Sequence, residues 1–505
     1  MYLFQKERRW AKMKKSFLTF FFIFSLFILP QREVSGQIGR GTPQFRAISG
    51  VSMGGYGAMN IGLSHPNLFK TIASLGGPLD MAYLFKYIDV DQLGNYDNLP
   101  PYPGRDTRVK MLQDLSISFG NPVFFNPAST YFPPGITDAN ARIPTALLNF
   151  IDGAVNPDGR LRVITYEDPA PGDWVEVLLA ADLNNNMIRD FGEPVLRQFH
   201  EPFSDINGNG IFDLGEPFFD TGLDGVFGTN DFGERDGVFT YNPHRENFLA
   251  EDPLSHLQNL PIDLLQGLNL YIDAGTLDEF QFNIHADNFA RALQARGLDI
   301  AVLNGFPNSF PNVSHFVQNR VLVKYIGGHV GFNKEDIGLS FQGVIAGALG
   351  GLLVANRFTT LFAFVSDKFP GGEFGTNPIE LLFSPSAMRV SSFFSPSLNR
   401  IMNFGIYLPP GYRDSPATFY PVLYLLGGYN MSISNLAGPG IKAALDALIL
   451  SGEMQKLVIV MPDGINFKNG RGHFFVNQID QVRGDNFMDS FFDLVTHIDA
   501  NFRTK

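Results

Sequence analysis

Apolar residues in this chain gather into short runs bounded by glycine, proline or asparagine, with helix-period stretches between them. Phe45 to Ser49 reads as a strand, the residues from Met53 as a helix of small and apolar side chains, and Lys70 to Leu75 as a second strand. Leu268 to Ala274 is a further strand. An amphipathic helix near His285 to Arg296, with Phe289, Ala292 and Leu293 on one face, ends at Gly297, and Ile300 to Leu303 is the next strand. Near the C-terminus, Phe404 to Leu408, Val422 to Leu426 and Leu457 to Met461 are strands that end in loops, and Asn486 to Phe502 is a helix. Unbroken apolar strands separated by helices predict an α/β fold, a mostly parallel sheet covered on both faces. The stretch Ile337 to Ala355 is rich in glycine and alanine, with Ser340 and Gln342 inside it and Asn356-Arg357 directly after. It is expected as a helix buried on the sheet, and no stable membrane span is expected.

Residues 1 to 36 pattern differently. Met13-Lys14-Lys15 precedes the 13-residue apolar run Phe17 to Leu29, and Val34-Ser35-Gly36 supplies small residues for cleavage. The run is short for a span, so the segment reads as a signal peptide and the protein as exported, periplasmic or extracellular. At 505 residues the chain is long enough for two or three domains. A formal net charge of −12, with no basic run beyond the start, argues against nucleic acid as a partner. With no cysteine, disulfides, a thiol nucleophile and a cysteine-zinc site are all excluded.

The first candidate for chemistry is Gly50-Val51-Ser52-Met53-Gly54, between the first strand and the first helix. This Gly-x-Ser-x-Gly pattern is a nucleophile elbow. The chain turns sharply and leaves the serine hydroxyl exposed, and a side chain at Gly50 or Gly54 would strike its neighbours. The following helix aims its N-terminus at the same point, where N–H groups can hold a developing oxyanion.

The second candidate is acidic. Residues 182 to 236 hold twelve acidic and three basic residues, most of the net charge of the chain. Asp205, Asn207, Asn209, Asp213 and Glu216, with Gly210 at the sixth position, have the full spacing of a calcium loop. Asp182, Asn184, Asn186, Asp190 and Glu193 repeat it with Met187 in place of the glycine, and Asp220 to Asp231 is looser. Pro194 and Pro217 follow the twelfth positions, so these read as calcium loops of an insert rather than paired EF-hands, with structural calcium as the cofactor.

Around Ser52-Met53-Gly54-Gly55-Tyr56-Gly57-Ala58 the chain resembles the esterase D family of α/β-hydrolases, which includes feruloyl and acetyl-xylan esterases and S-formylglutathione hydrolases. The resemblance implies an α/β-hydrolase fold with the catalytic acid after one late strand and the histidine after the next. Asp278, in Gly275-Thr276-Leu277-Asp278, and His329, in Gly327-Gly328-His329, match the strings of the family in that order after Ser52. Asp273 is the rival acid and His315 the rival histidine. The oxyanion donors implied are the amides of Met53 and Tyr429, the latter in a loop where the family has His-Gly and this chain has Gly427-Gly428.

The order of the segments departs from the family. Residues 386 to 505 resemble the part that comes first there, and their last helix leads into the strand before the nucleophile. The chain therefore reads as a circularly permuted hydrolase. The alternatives are a fragment of a tandem pair or a misassembled gene, with the halves completed by a domain-swapped dimer. The expected segments are 1–36 signal peptide, 37–135 nucleophile half and start of a cap, 136–249 insert, 250–335 acid and histidine, 336–385 apolar helix and connector, and 386–505 the displaced half. The expected function is a secreted serine ester hydrolase acting on small-molecule or carbohydrate esters. An acyltransferase with the same triad, or a silent calcium-dependent binding protein on the same scaffold, is the alternative.

Overall fold

The computed structural model describes residues 41–84, 114–115, 117–120, 163–167, 174–178, 200–204, 206, 212–222, 234–241, 245–278, 280, 282–309, 313–329 and 344–505, with backbone alone for 163–167, 174–178, 245 and 344–353. The signal-peptide segment, the first calcium window Asp182 to Glu193, the ligand positions Asp205, Asn207 and Asn209, and most of the expected cap lie outside the described residues.

Nine strands form one sheet. In chain order they are β1 (Arg46–Val51), β2 (Thr71–Leu75), β3 (Asn269–Gly275), β4 (Ala301–Asn304), β5 (Arg320–Tyr325), β6 (Ala387–Ser395), β7 (Arg400–Leu408), β8 (Val422–Leu426) and β9 (Val458–Pro462). Across the sheet they run β4-β5-β3-β2-β1-β8-β9-β7-β6. All pairings are parallel except β9 with β7 and β7 with β6. The central strands β8, β9, β2 and β3 are buried along their whole length, which is why they read as unbroken apolar runs.

The nucleophile strand β1 sits mid-sheet. Ala47 lies beside Thr71 of β2 on one side and Leu423 of β8 on the other. The last residues of the chain reach its start. Thr42 N–H donates to the Lys505 carbonyl at 3.1 Å, and buried Arg46 of β1 pairs with Asp499 of α6 (Phe487–Asn501).

Six helices matter to the site. Besides α6, these are α1 (Met53–Ser64), α2 (Pro253–Asn259), α3 (Phe282–Ala295), α4 (Val344–Lys368) and α5 (Pro439–Leu450). All of α1 except Ser64 is buried, and its small residues permit that. A Cβ on Gly57 would come within 2.9 Å of Phe475, and one on Gly62 within 2.8 Å of Ile72.

Two expectations need correction. The apolar helix expected at 337–355 is α4, which runs on to Lys368. Among its described side chains Leu361 to Val365 are buried, while Val354 is exposed; residues 337–343 and the side chains of 344–353 lie outside the described residues. The strand β5 had no counterpart in the sequence reading. It lies between β3 and β4, so the histidine loop follows the sheet neighbour of the acid strand. Among the described residues Ile433–Leu450 is long and apolar enough to cross a membrane. It is broken at Ala437-Gly438, and Leu445, Leu448 and Ile449 on its inner side are buried.

Of the insert, the described part has its own aromatic centre. Phe203, Phe212, Phe218 and Phe239 pack together, with Phe212 stacked on Phe239 at 3.8 Å.

Candidate active site

Ser52 occupies the turn between β1 and α1 with φ 54° and ψ −119°, a backbone conformation that a side chain adopts only under strain. Its amide donates to the Leu75 carbonyl at 2.8 Å, which locks the turn to β2. The glycines on either side are required by contact. A Cβ on Gly50 would overlap the Gly54 carbonyl, and one on Gly54 would overlap the Leu426 carbonyl and lie 2.6 Å from that of Gly427.

His329 follows β5 and Asp278 follows β3. His329 Nε2 lies 2.7 Å from Ser52 Oγ, and His329 Nδ1 lies 2.9 Å from Asp278 Oδ2. Both side chains are almost wholly buried. The other oxygen of Asp278 accepts the Phe280 amide at 2.8 Å. The imidazole is walled by Phe280 and Phe282, whose rings meet it edge-on at 5.0 and 5.2 Å. The two loops are laced together: Thr276 N–H donates to Tyr325 O at 2.8 Å and Leu277 N–H to Gly327 O at 3.0 Å. A Cβ on Gly275 would strike Gly327 O, so glycine there lets the acid loop and the histidine loop touch.

The rival residues lie elsewhere. His315 is half-exposed and pairs with Asp367 of α4 at 2.7 Å. Asp273, within β3, faces Arg357 of α4. Arg357 Nε donates to Asp273 Oδ2 at 2.8 Å and Nη2 to Oδ1 at 2.6 Å, both side chains being buried. Burial pushes the Asp273 carboxyl up, opposed by the guanidinium charge and its two-pronged hydrogen bonding. Arg357 Nη1 also donates to the His329 carbonyl at 3.1 Å, so α4 holds the histidine loop from behind. The sequence reading missed Arg357. Its one signal was an arginine at the end of an apolar helix stretch.

Met53 opens α1 directly after Ser52, with its amide at the helix N-terminus. The loop after β8 runs beside it. A Cβ on Gly428 would lie 3.4 Å from Ser52 Cβ, which places this loop against the serine. Tyr429 N–H takes no partner among the described residues, while the Gly428 amide donates to Met431 Sδ at 3.2 Å. The arrangement offers a hydroxyl, a base oriented by a carboxylate, a helix N-terminus and a glycine-rich loop beside the hydroxyl. That set can form and resolve a tetrahedral intermediate.

Of the acidic and amide ligand positions in the first two calcium windows only Asp213 and Glu216 are described, and of the looser third window Asp220, whose carboxylate accepts the amides of Asp236 and Gly237. The Glu216 carboxylate accepts the amides of Ile206 and Asp213, each at 2.9 Å, so this part of the window curls back on itself. Among the described residues no group of three or more histidine or acidic side chains is gathered as metal ligands.

The model of the family described as "Putative esterase" matches residues 34–329 and 395–504. Among solved structures, a ferulic acid esterase is 27% identical over 24% of this chain and 44% of its own, with a TM-score of 0.21. The chain thus spans less than half the length of that protein. A PHB depolymerase complexed with an R3HB trimer is 11% identical over 92% of this chain and 98% of its own, with a TM-score of 0.33. No curated protein matches the chain.

Proposed function

The chain belongs to the Esterase family, and from that premise we propose that it is a serine carboxylic-ester hydrolase working through Ser52, His329 and Asp278. The observation that carries this reading is the unbroken relay from Ser52 Oγ to His329 Nε2 at 2.7 Å and from Nδ1 to Asp278 at 2.9 Å. With Nδ1–H donated to Asp278, Nε2 accepts the serine proton as Oγ attacks the ester carbonyl. The amides of Met53 and Tyr429 donate to the oxyanion. The alcohol leaves with the proton held on Nε2, and water, activated by the same imidazole, releases the acid.

The finer reading is an exported enzyme acting on carbohydrate or similar extracellular esters, which rests on the N-terminal segment and the sequence resemblance. The insert is read as held by structural calcium, with Asp213 and Glu216 among the ligands; the spacing of the window and the return of the Ile206 amide to the Glu216 carboxylate support this. The segment order is read as a circular permutation. The meeting of Thr42 with Lys505 and the Arg46–Asp499 pair support it, because a chain running from α6 directly into β1 would have the order of the family.

The test is fluorophosphonate labelling of the full chain beside Ser52→Ala and His329→Ala, together with hydrolysis of p-nitrophenyl acetate. Labelling and hydrolysis that vanish with Ser52 are expected. A folded wild type that neither labels nor hydrolyses sinks the enzyme reading and favours a binding protein.

A further inference from the structure

Asp114 is buried, and its carboxylate accepts four side-chain hydrogen bonds. Oδ2 takes the Tyr429 hydroxyl at 2.5 Å and Arg471 Nε at 2.7 Å; Oδ1 takes Arg471 Nη2 at 2.7 Å and Asn469 Nδ2 at 2.9 Å. Three segments distant in sequence therefore meet on one carboxylate: 114–119, the loop after β8, and the short ribbon that contains Arg471–Gly472. Asp114 is itself fixed. Ser118 Oγ donates to its carbonyl at 2.8 Å, Gln478 Nε2 donates to Ser118 Oγ at 2.7 Å, and Asp480 N–H donates to Ile117 O at 3.1 Å.

What this carboxylate holds is the loop beside the serine. Met431 N–H donates to Gly428 O at 3.0 Å, closing a turn with Tyr429 and Asn430 at its centre, and Asn430 has φ 59°. Such a turn leaves the amide of its second residue, Tyr429, outside its own hydrogen bond. Two glycines precede that amide, so the backbone there is intrinsically loose. The Tyr429 hydroxyl ties 427–430 to a segment 315 residues away in sequence, whereas the Gly428 amide reaches only Met431 of its own turn. The ring is also wedged. A Cβ on Gly472 would lie 2.6 Å from Tyr429 Cδ2 and 2.6 Å from Met53 Sδ, so one glycine packs against the side chains of both amide donors.

We propose that Asp114 and Arg471 are positioning residues that clamp Tyr429 and thereby aim its amide at the oxyanion, replacing rigidity that Gly427-Gly428 cannot supply. This rests on the hydrolase reading above. The clamp acts in the transition state, because an oxyanion donor meets little charge on the ground-state ester.

The experiment compares the full-length wild type with Tyr429→Phe, Asp114→Asn, the double variant and Ser52→Ala. Rates on p-nitrophenyl acetate are normalised to sites titrated with fluorophosphonate, so that misfolded molecules do not count. Tyr429→Phe keeps the ring and removes one oxygen. It is expected to lower kcat per titrated site about 10- to 100-fold with KM within about twofold, and to slow fluorophosphonate inactivation by the same factor. The double variant should be no slower than the slower single variant, since both cut one tether. A Tyr429→Phe enzyme with wild-type kcat, or one altered only in KM or in the fraction folded, overturns the clamp while leaving the hydrolase standing. A wild type that does not label overturns the hydrolase, and the clamp with it.

Discussion

Replacing Arg357 by Met tests how the histidine loop is held. The guanidinium gives hydrogen bonds to both oxygens of Asp273 and one to the His329 carbonyl, in a place where the Asp273 side chain has no exposure and that of Arg357 has 5%. Removing it leaves a carboxylate buried without its charge partner, a loss of about 3–5 kcal/mol. Unfolding entropy of roughly 2.1 cal/mol/K per residue over ~460 residues is about 1 kcal/mol/K, so the thermal midpoint should fall by about 3–5 °C. Calorimetry on the single variants and on Arg357→Met with Asp273→Leu reads this directly. The double variant removes both charges and should regain most of the loss, leaving a deficit of about 1 kcal/mol for the His329 carbonyl that still lacks its donor. Its kcat should stay below wild type, because the loop that carries His329 remains loose. A midpoint for Arg357→Met within 1 °C of wild type, or a double variant as unstable as the single, would refute the reasoning.

Three further outcomes are expected. Gly54→Ala drives a Cβ into the Leu426 and Gly427 carbonyls, so the helix or the oxyanion loop must move by about 1 Å; kcat/KM should fall roughly 100-fold, and a near-normal rate would mean that the elbow is slack. His473 is fully buried, stacked on Phe487 at 4.0 Å, and burial lowers its pKa to about 4. Below about pH 6.5 the unfolded chain therefore takes up a proton that the folded chain refuses, and about 3 kcal/mol of stability is lost between pH 6.5 and 4. Glu251, raised by burial to about 7, runs the opposite way and loses stability as pH rises from about 4.5 to 7. Because the Gln variant takes up no such proton, wild-type stability relative to His473→Gln should rise by about 3 kcal/mol from pH 4 to 6.5 and be flat above it. Chelation of calcium should lower the thermal midpoint and open the 200–241 segment to proteolysis while the relay at Ser52 stays intact; identical melts with EDTA and with calcium would remove the metal from the account.

The elbow was legible because its geometry tolerates few residue types. Gly50 and Gly54 are there because carbonyls occupy the space a Cβ would need, and that constraint is visible as a five-residue pattern. Asp278 and His329 were legible through the strings Gly275-Thr276-Leu277-Asp278 and Gly327-Gly328-His329, which match those of the family the chain resembles. The strand β5 was not legible: its buried centre is only Val321 to Val323, flanked by Arg320 and Lys324, too short to show a period. Nor could spacing reveal the partners of buried charges. Arg357 meets Asp273 across 84 residues, and Tyr429 meets Asp114 across 315. Such pairs are decided by topology, and they are the parts of the site that local pattern leaves unread. The helix α4 shows the same limit, since the apolar pattern was read only to Ala355 while Leu361 to Val365, beyond Arg357, are buried.

The position of β1 has a consequence in time. Its partner β2 follows within a few dozen residues, but Val422, opposite Arg46 on the other edge, is made about 370 residues later. At synthesis rates of roughly 5–20 residues per second, the strand that carries the serine waits on the order of 20 to 75 seconds for its second neighbour. During that interval the backbone of Ala47 and Ile48 is an open edge beside apolar side chains, the feature that recruits other chains into aggregates. The catalytic centre of this molecule thus stays incomplete until β8 and the loop after it have been made. Its yield in a cell should depend on how long the waiting half is shielded, more than on the stability of the finished sheet.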